Sequence, residues 1–306
     1  MVVRIGIVGL GKIAVDQHIP AIKASPDFEL VAIASQHSTL DGVAVYRTIT
    51  EMLGHDGLDA VALCQPPQVR YDAAREAILA GKHVFLEKPP GATLSEVEAL
   101  SEAADTKGVT LFASWHSRHA AGVETARDWL KSRTIRSVDV AWKEDVRHWH
   151  PNQAWIWQAG GLGVFDPGIN ALSIVTRILP KPFFLTQGVL SFPANRESPI
   201  AADLSFRDPD GLVIKTEFDW RQTGPQTWDI HIETDDGALV LSKGGSVLTI
   251  AGKPVDLPPE AEYPGLYQHF ATLVGEHRSD VDISPLRHAA DAFLRSSRLI
   301  VEAFED

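Results

Sequence analysis

A lysine beside two prolines is the first residue whose position suggests chemistry. Lys88 follows a short apolar segment and precedes Pro89 and Pro90. If that segment is a parallel strand, Lys88 lies at its carboxyl end, where open α/β sheets bind ligands. A lysine there can hydrogen-bond a reacting oxygen and lower the pKa of a nearby hydroxyl. The alternative is a solvated lysine before a proline turn, and the Lys88–Pro89 bond is a candidate cis peptide.

A carboxylate and an amide form the second candidate group. Asp166 and Asn170 are four residues apart, so on a helix they share one face. There Asp166 can accept a proton while Asn170 orients a hydroxyl. The alternative is a helix cap, since Asp is a good N-cap residue and Pro167 suits the first helical position. Both roles are compatible with the sequence.

The segment before this pair is rich in aromatic and imidazole side chains. Four tryptophans lie within 142–157, and indole faces pack well on the C–H faces of sugars. The alternative is that these rings fill a core or an oligomer interface. His148 and His150 match no zinc-binding spacing, so we expect no metal.

A glycine-rich turn near the N-terminus predicts a dinucleotide site. The run Gly9-Leu10-Gly11-Lys12-Ile13-Ala14 fits the pattern G-x-G-x-x-A between an apolar strand and a helix. The first glycine permits the turn, the second lets the backbone approach a pyrophosphate, and Ala14 allows close packing. The helix N-terminus then offers N–H groups to the phosphates. We therefore predict NAD(P) binding at Gly9, Gly11, Lys12 and Ile13; the alternative is an ordinary glycine turn.

The end of the next strand bears on the choice of cofactor. An acid there would bind the adenosine ribose 2′-hydroxyl and repel a 2′-phosphate, but the chain has Ser35, Gln36 and His37, and Asp41 comes later. We expect NADP to be tolerated, with dual use of NAD and NADP. The alternative is that this loop does not touch the ribose.

Strand and helix patterns alternate in the first part of the chain. This alternation predicts a doubly wound parallel sheet, and we assign residues 1–120 to an NAD(P)-binding Rossmann domain. The predicted strands are Val2–Val8, Leu30–Ala34, Leu58–Leu63, His83–Leu86 and Val109–Ala113, and the predicted helices are Ile19–Ala24, Arg70–Ala80 and Ser95–Lys107.

The pattern changes after residue 120. Apolar and polar residues alternate in several segments joined by turns, which predicts a mostly antiparallel sheet with one open face in an α+β domain, 121–306. The predicted strands are 137–145, 184–192, 201–206, 212–220, 226–234, 238–242 and 246–251, followed by helices Pro264–Gly275 and Pro285–Ala303. An open face needs cover, so we expect this domain to bind substrate and to form a homo-oligomer, a dimer or larger.

Composition excludes several classes of partner. The chain has 306 residues, enough for two domains, and a net charge of 28 − 40 = −12. Such acidity disfavours nucleic acid and anionic lipid, and no segment has the length of a membrane span. The single cysteine, Cys64, excludes an internal disulfide, which favours a reducing, cytoplasmic location.

Taken together, these motifs resemble the Gfo/Idh/MocA oxidoreductases over essentially the whole chain. The resemblance rests on Gly9–Ala14, Pro66–Pro67, Glu87-Lys88-Pro89 and Gly160–Asn170, in that order. Longer blocks are similar to the aldose 1-dehydrogenase branch that acts on L-arabinose and D-galactose: 17–22, 80–84, 87–91, 142–147 and 161–176. Many family members carry His where this chain has Asn170, so histidine acid–base chemistry at that position is excluded. The aldose branch shares the Asn.

The resemblance implies an active site between a Rossmann domain and an open-sheet domain. It implies that Lys88 and Asp166 are catalytic and that Asn170 supports them. The residues that it implies for the sugar pocket are His116, Glu144, Trp149, His150 and Trp228, and those that it adds to the cofactor site are Pro66, Pro67, Glu87 and Lys88.

The reaction that follows is oxidation of the anomeric C1 hydroxyl of L-arabinose or D-galactose, and also D-fucose, to the lactone. Two other readings remain: a different dehydrogenase of the same family, of the inositol or glucose type, or a non-catalytic sugar or dinucleotide sensor, because one fold supports several uses.

Overall fold

A computed structural model describes residues 2–151 and 153–305 of the chain. The helices are α1 Ile19–Ala24, α2 Ile49–Leu53, α3 Arg70–Leu79, α4 Leu94–Lys107, α5 Val123–Leu130, α6 Val146–Trp149, α7 Phe165–Ile178, α8 Glu262–Glu276 and α9 Ser284–Arg295. The strands are β1 Val3–Val8, β2 Phe28–Ala34, β3 Ala44–Tyr46, β4 Ala60–Leu63, β5 His83–Leu86, β6 Leu111–Ala113, β7 Ile135–Lys143, β8 Phe184–Pro193, β9 Ala201–Arg207, β10 Val213–Asp219, β11 Thr227–Thr234, β12 Gly237–Ser242, β13 Val247–Ile250, β14 Lys253–Pro254 and β15 Ser297–Val301.

The chain folds into two compact units. The first comprises Met1–His116 and Glu262–Ile283, and the second comprises Ser117–Ala261 and Ser284–Asp306. The chain therefore returns to the first unit near its C-terminal end, which differs from the two continuous segments expected from the sequence. The assignment of cofactor binding to one segment and of substrate binding to the other stays a prediction.

The first unit is built on a six-stranded parallel sheet in the order β3-β2-β1-β4-β5-β6. The central strands are dense in Ile, Val and Ala and are buried on both faces, as parallel strands covered by helices must be. Helix α8 covers one face, where Tyr267 and Phe270 pack among β-strand residues such as Phe85. The predicted Rossmann fold is confirmed.

The second unit is built on a nine-stranded sheet in the order β14-β13-β12-β11-β7-β10-β9-β8-β15. Neighbouring strands are antiparallel except for the β7–β10 and β8–β15 pairs, which are parallel. Along β7, Val138, Val140 and Trp142 are buried, whereas Asp139 between them is exposed. This alternation confirms the predicted mostly antiparallel sheet with one open face.

The predicted helix Pro285–Ala303 is wrong beyond Arg295. Helix α9 ends there, and Ser297–Val301 forms β15, which pairs in parallel with β8 and becomes the edge strand of the sheet. Pairing with an available strand edge outweighs the helical pattern of the sequence, because Ile300 and Val301 are β-branched and suit a strand.

Within 2–151 and 153–305, no helix is long and apolar enough to cross a membrane.

Candidate active site

The two glycines of the turn after β1 differ in what requires them. Gly9 has φ +90°, and a Cβ there would lie 3.0 Å from the backbone N of Gln65, so conformation and space both demand glycine. At Gly11 a Cβ would meet no protein atom within 4 Å. Packing within the protein therefore does not require glycine at position 11, whereas a ligand lying against the backbone would.

The residues predicted to bind the cofactor meet at one edge of the parallel sheet. They follow four strands that are neighbours in the sheet, β2, β1, β4 and β5. The residues are Ser35, Gln36 and His37 after β2; Gly9, Gly11, Lys12 and Ile13 after β1; Pro66 and Pro67 after β4; and Glu87 and Lys88 after β5. Lys12 is exposed and forms an ion pair with Asp16 on the same helical run. This edge fits a dinucleotide, although the contact of each residue with it stays a prediction.

Lys88 follows β5 and is anchored through its backbone. The Lys88–Pro89 bond, a candidate cis peptide in the sequence, is cis. The Lys88 N–H donates to Glu87 Oε2 at 2.6 Å, and Glu87 Oε1 accepts from Tyr263 Oη at 2.7 Å and from His18 Nε2 at 3.2 Å. Glu87 is 3% exposed and His18 is fully buried, so this carboxylate is held within the protein.

A buried guanidinium holds the same segment from the other side. Arg70, the first residue of α3, is 2% exposed and donates from Nη1 to the carbonyl oxygens of Glu87 and Pro89. These carbonyls flank Lys88 in the chain. The backbone on both sides of Lys88 is therefore fixed by a charged donor.

Glu87 and His18 form a charged pair at neutral pH. Burial alone would raise the pKa of Glu87, but the hydrogen bond and charge of His18 lower it to about 2. Burial alone would lower the pKa of His18, yet its interactions with Cys64, Tyr267 and Glu87 raise it well above the usual value. The contribution of Glu87 to the stability of the fold is present above the pKa of Glu87 in the unfolded chain and is lost as the pH falls towards 2. The contribution of His18 is present below the pKa of His18 in the unfolded chain and is lost as the pH rises through its raised pKa in the folded protein.

His116 lies in the same unit, three residues after β6. Its Nδ1 is 2.9 Å from Glu262 Oε2, and its ring stacks on Tyr263 with centroids 5.6 Å apart. Burial alone would lower the pKa of His116, but the charge and hydrogen bond of Glu262 raise it. The charge of Lys88 opposes that rise.

In the second unit, a buried carboxylate is held by two indoles. Glu144 follows β7 and is 3% exposed; its oxygens accept from Trp220 Nε1 at 3.2 Å and from Trp228 Nε1 at 2.9 Å. The Trp149 ring lies 5.3 Å from that of Trp228. The structure thus brings together Glu144, Trp149 and Trp228, three of the residues expected to bind sugar.

Asp166 pairs with a histidine from a preceding loop. It lies in the first turn of α7, is 4% exposed, and its Oδ2 is 3.2 Å from His150 Nε2. Because the capping position of α7 is Val164, the helix-cap interpretation of Asp166 is wrong. Asn170 is one turn along the same helix, as the spacing predicted, and its side chain is partly exposed.

The aromatic segment divides between core and candidate site. Trp142 and Trp157 are both 3% exposed and fill the core, as the alternative interpretation held, whereas Trp149 is partly exposed. His148 is exposed and packs edge-on against Trp149. Among the side chains of residues 2–151 and 153–305, no group of three or more His, Cys, Asp or Glu is arranged to hold a metal ion.

Three partners of the site escaped the sequence interpretation: His18, Tyr263 and Trp220. Trp220 is fully buried, and it contacts Glu144 by its Nε1 and the His150 ring at 5.4 Å. Its position one residue after β10 is the only sequence signal for it. For His18, a signal was its place shortly after the glycine turn; Tyr263 had none, because it reaches Glu87 across 176 positions.

A Rossmann sheet with this glycine turn and a strand-end lysine defines a nicotinamide-dependent oxidoreductase. Residues 3–114 match the oxidoreductase family with an NAD-binding Rossmann fold named GFO_IDH_MocA. The chain belongs to the Gfo/Idh/MocA family, as full-length similarity to a curated member also establishes. This confirms the family resemblance and the enzyme class expected from the sequence, a dehydrogenase acting on CH–OH groups.

Two relatives are similar over nearly the whole chain. Galactose 1-dehydrogenase of Pseudomonas fluorescens is 47% identical over 305 residues, 99% of each chain. The crystal structure of D-galactose-1-dehydrogenase from Rhizobium etli superposes with a TM-score of 0.96 at 61% identity, covering 99% of this chain and 98% of that one. A 3-ketoreductase from Actinomadura kijaniata superposes with a TM-score of 0.85 over 98% of this chain and all of that one, and at 20% identity it shares the fold.

Proposed function

We propose that the chain is an NAD(P)-dependent aldose 1-dehydrogenase that oxidises the anomeric C1 hydroxyl of D-galactose to the lactone. The observation that carries this proposal is the full-length similarity to two galactose dehydrogenases, one of them 61% identical. Similarity of this extent covers the strand-end lysine, the segment 142–150 and the Asp166 helix together. The buried partners of two of these residues add support, since Trp220 and Trp228 hold Glu144 and His150 pairs with Asp166.

In the proposed reaction the C1 hydroxyl loses a proton and C1 loses a hydride. Bound NAD(P) supplies the hydride acceptor. Asp166 takes the proton as general base, alone or through Lys88, and Lys88 holds the C1 oxygen and stabilises its developing negative charge. The two roles are reversed if Lys88 is neutral when the sugar binds. His150, paired with Asp166 at 3.2 Å, orients the carboxylate.

The sugar is selected by a polar group beside aromatic rings. Glu144, His116 and Asn170 bind ring hydroxyls in this proposal, and Trp149 and Trp228 pack on C–H faces of the sugar. L-Arabinose and D-galactose have matching ring hydroxyl configurations and differ by one hydroxymethyl group on C5. We therefore propose that L-arabinose and D-fucose are also substrates, with a size preference worth only a few kcal/mol.

Both nicotinamide cofactors fit the proposal. Ser35 is partly exposed, Gln36 and His37 are exposed, and none of them is acidic. Without a carboxylate there to repel a 2′-phosphate, we expect use of NADP as well as NAD. The reaction requires no metal.

The proposed function is tested by initial rates of nicotinamide reduction. D-Galactose, L-arabinose, D-fucose, D-glucose, D-xylose and myo-inositol are each assayed with NAD and with NADP. We expect fast turnover confined to the first three sugars and detectable with both cofactors. Turnover of myo-inositol or D-glucose alone would move the chain to another branch of the family, and cofactor binding without any turnover would favour a sensor.

We propose that a second copy of the chain covers the open sheet face. A groove of about 730 Å³ runs along this face, and its lining combines charged residues, Asp139, Asp203, Lys215 and Glu217, with apolar ones such as Val189. Burial beside Glu217 raises the pKa of Asp203. The homo-oligomer and the cytoplasmic location stay predictions; light scattering showing only the 33.4 kDa monomer would contradict the first.

A further inference from the structure

We propose that Glu87, His18 and Tyr263 are positioning residues for Lys88: this buried triad fixes the backbone from which the lysine reaches the substrate oxygen. The inference rests on the proposed function in one respect, since it takes Lys88 to act on the C1 hydroxyl. The contacts that define the triad do not depend on that function.

The Glu87 side chain is hydrogen-bonded directly to the backbone of Lys88. Glu87 Oε2 accepts from the Lys88 N–H at 2.6 Å, so the side chain of one residue sets the direction of the next peptide plane. This bond is charge-assisted and short, which makes it stronger than a bond between neutral groups. A change in the position of the carboxylate therefore shifts the backbone of Lys88.

The Glu87 carboxylate is itself held by two further hydrogen bonds. Its other oxygen, Oε1, accepts from Tyr263 at 2.7 Å and from His18 at 3.2 Å. Tyr263 lies near the start of α8, and His18 ends the π-helical turn Ala14–His18. His18 Nδ1 is in turn 2.8 Å from the hydroxyl of Tyr267. Elements distant in sequence thus converge on one oxygen atom.

Burial of the charged pair in this triad costs free energy. Glu87, His18 and Tyr263 are at most 4% exposed, and burying two charges costs several kcal/mol per ion before their attraction is counted. Apolar residues of similar size often stabilise a core as well as or better than a buried ion pair. Stability alone is therefore a poor explanation for a charged triad at this position. A rigid backbone at the strand-end lysine explains it better, because small displacements of a reacting group are costly in rate.

The triad also contacts His116, a candidate sugar-binding residue. The Tyr263 ring stacks on His116, with centroids 5.6 Å apart, and His116 is bonded to Glu262, the neighbour of Tyr263 in α8. One helix end thus holds both the Glu87 carboxylate and the His116 ring. The charged groups that act on the Glu87 carboxylate are His18 and His116, and both lower its pKa.

The decisive variant is Glu87→Gln, which has the same shape but one acceptor oxygen in place of two. That oxygen cannot serve the Lys88 N–H, Tyr263 and His18 together. We expect kcat for D-galactose to fall about 10- to 100-fold while KM and the Kd of NADP change by less than about threefold. Tyr263→Phe, which removes one bond, is expected to lower kcat by a smaller factor, about 3- to 10-fold.

A matched control is Asp280→Asn, in the same unit. Asp280 Oδ2 is 2.8 Å from His269 Nε2, a second carboxylate–histidine pair, whose histidine lies on α8 and which is distant in sequence from Lys88. We expect its kcat to stay within about twofold of the parent enzyme. If Glu87→Gln fails to fold, Tyr263→Phe carries the same comparison.

The second readout is amide hydrogen exchange of the peptide 85–91, which needs no turnover. Exchange that is faster in Glu87→Gln but unchanged in Asp280→Asn supports the proposal even if D-galactose is not the substrate. Unchanged exchange with parental kcat would overturn it. A fall in kcat together with an equal loss of NADP affinity, or faster exchange in both variants, would also overturn it, because either result shows general loosening. An inactive parent enzyme with the expected exchange pattern would count against the proposed function alone.

Discussion

Lys88→Ala is expected to lower kcat for D-galactose by about 10³-fold or more while the Kd of NADP changes little. The variant removes the only side-chain cation that the proposal places on the C1 oxygen, and such a group contributes both charge stabilisation and proton transfer. Its backbone bonds to Glu87 and its flanking bonds from Arg70 involve main-chain atoms and survive the substitution. Steady-state rates and cofactor fluorescence titration measure the two quantities.

Lys82→Ala is the control for that result. Lys82 lies at the opposite end of β5, directly before His83, and its Nζ donates to the Leu58 carbonyl at 2.7 Å. We expect its kcat to stay within about twofold of the parent value. Normal turnover in Lys88→Ala, or an equal loss in both variants, would contradict a catalytic role for Lys88.

Asp166→Asn is expected to lower kcat by about 10²- to 10³-fold, because an amide of the same shape cannot accept the C1 proton. The substituted residue keeps an oxygen for His150, so the loop that carries His150 is expected to stay in place. The measurement is kcat for D-galactose across pH, with the melting temperature as a check on folding. A loss far smaller than that of Lys88→Ala would assign proton transfer to Lys88.

The control for Asp166 is the same substitution at an exposed site of the second unit. Asp128 lies on α5 and pairs with Lys131 at 2.5 Å, an exposed ion pair of a kind that contributes little to stability. We expect Asp128→Asn to keep parental kcat. Comparable losses in the two variants would mean that the effect of Asp166 arises through folding.

The features of the fold and site that depend on local sequence pattern are predictable from the sequence. The glycine turn, the strand-end position of Lys88 and the shared face of Asp166 and Asn170 each depend on spacing within a few residues, and the structure has all three. The first parallel sheet is predictable for the same reason, since each strand is a dense apolar run between turn signals. The short strand β3 and helix α2 lack such runs and were not predicted.

The remaining features depend on contacts across long stretches of chain. The Tyr263–Glu87 bond joins residues 176 positions apart, and it exists because α8 returns to the first unit. The His150–Asp166 pair depends on the course of the loop before α7, which spacing does not fix. The C-terminal strand β15 forms where the chain pairs with β8, more than 100 positions earlier. Local spacing in the sequence therefore does not fix these contacts.

The most direct test of the account follows the hydrogen on C1. D-Galactose deuterated at C1 is oxidised with NADP, and the reduced cofactor and the sugar product are analysed by mass spectrometry. The account predicts that the deuterium leaves the sugar, appears in the reduced nicotinamide in equal amount and slows the reaction. Reduction of the cofactor with the deuterium retained in the sugar would show oxidation at another carbon and would contradict the proposed reaction.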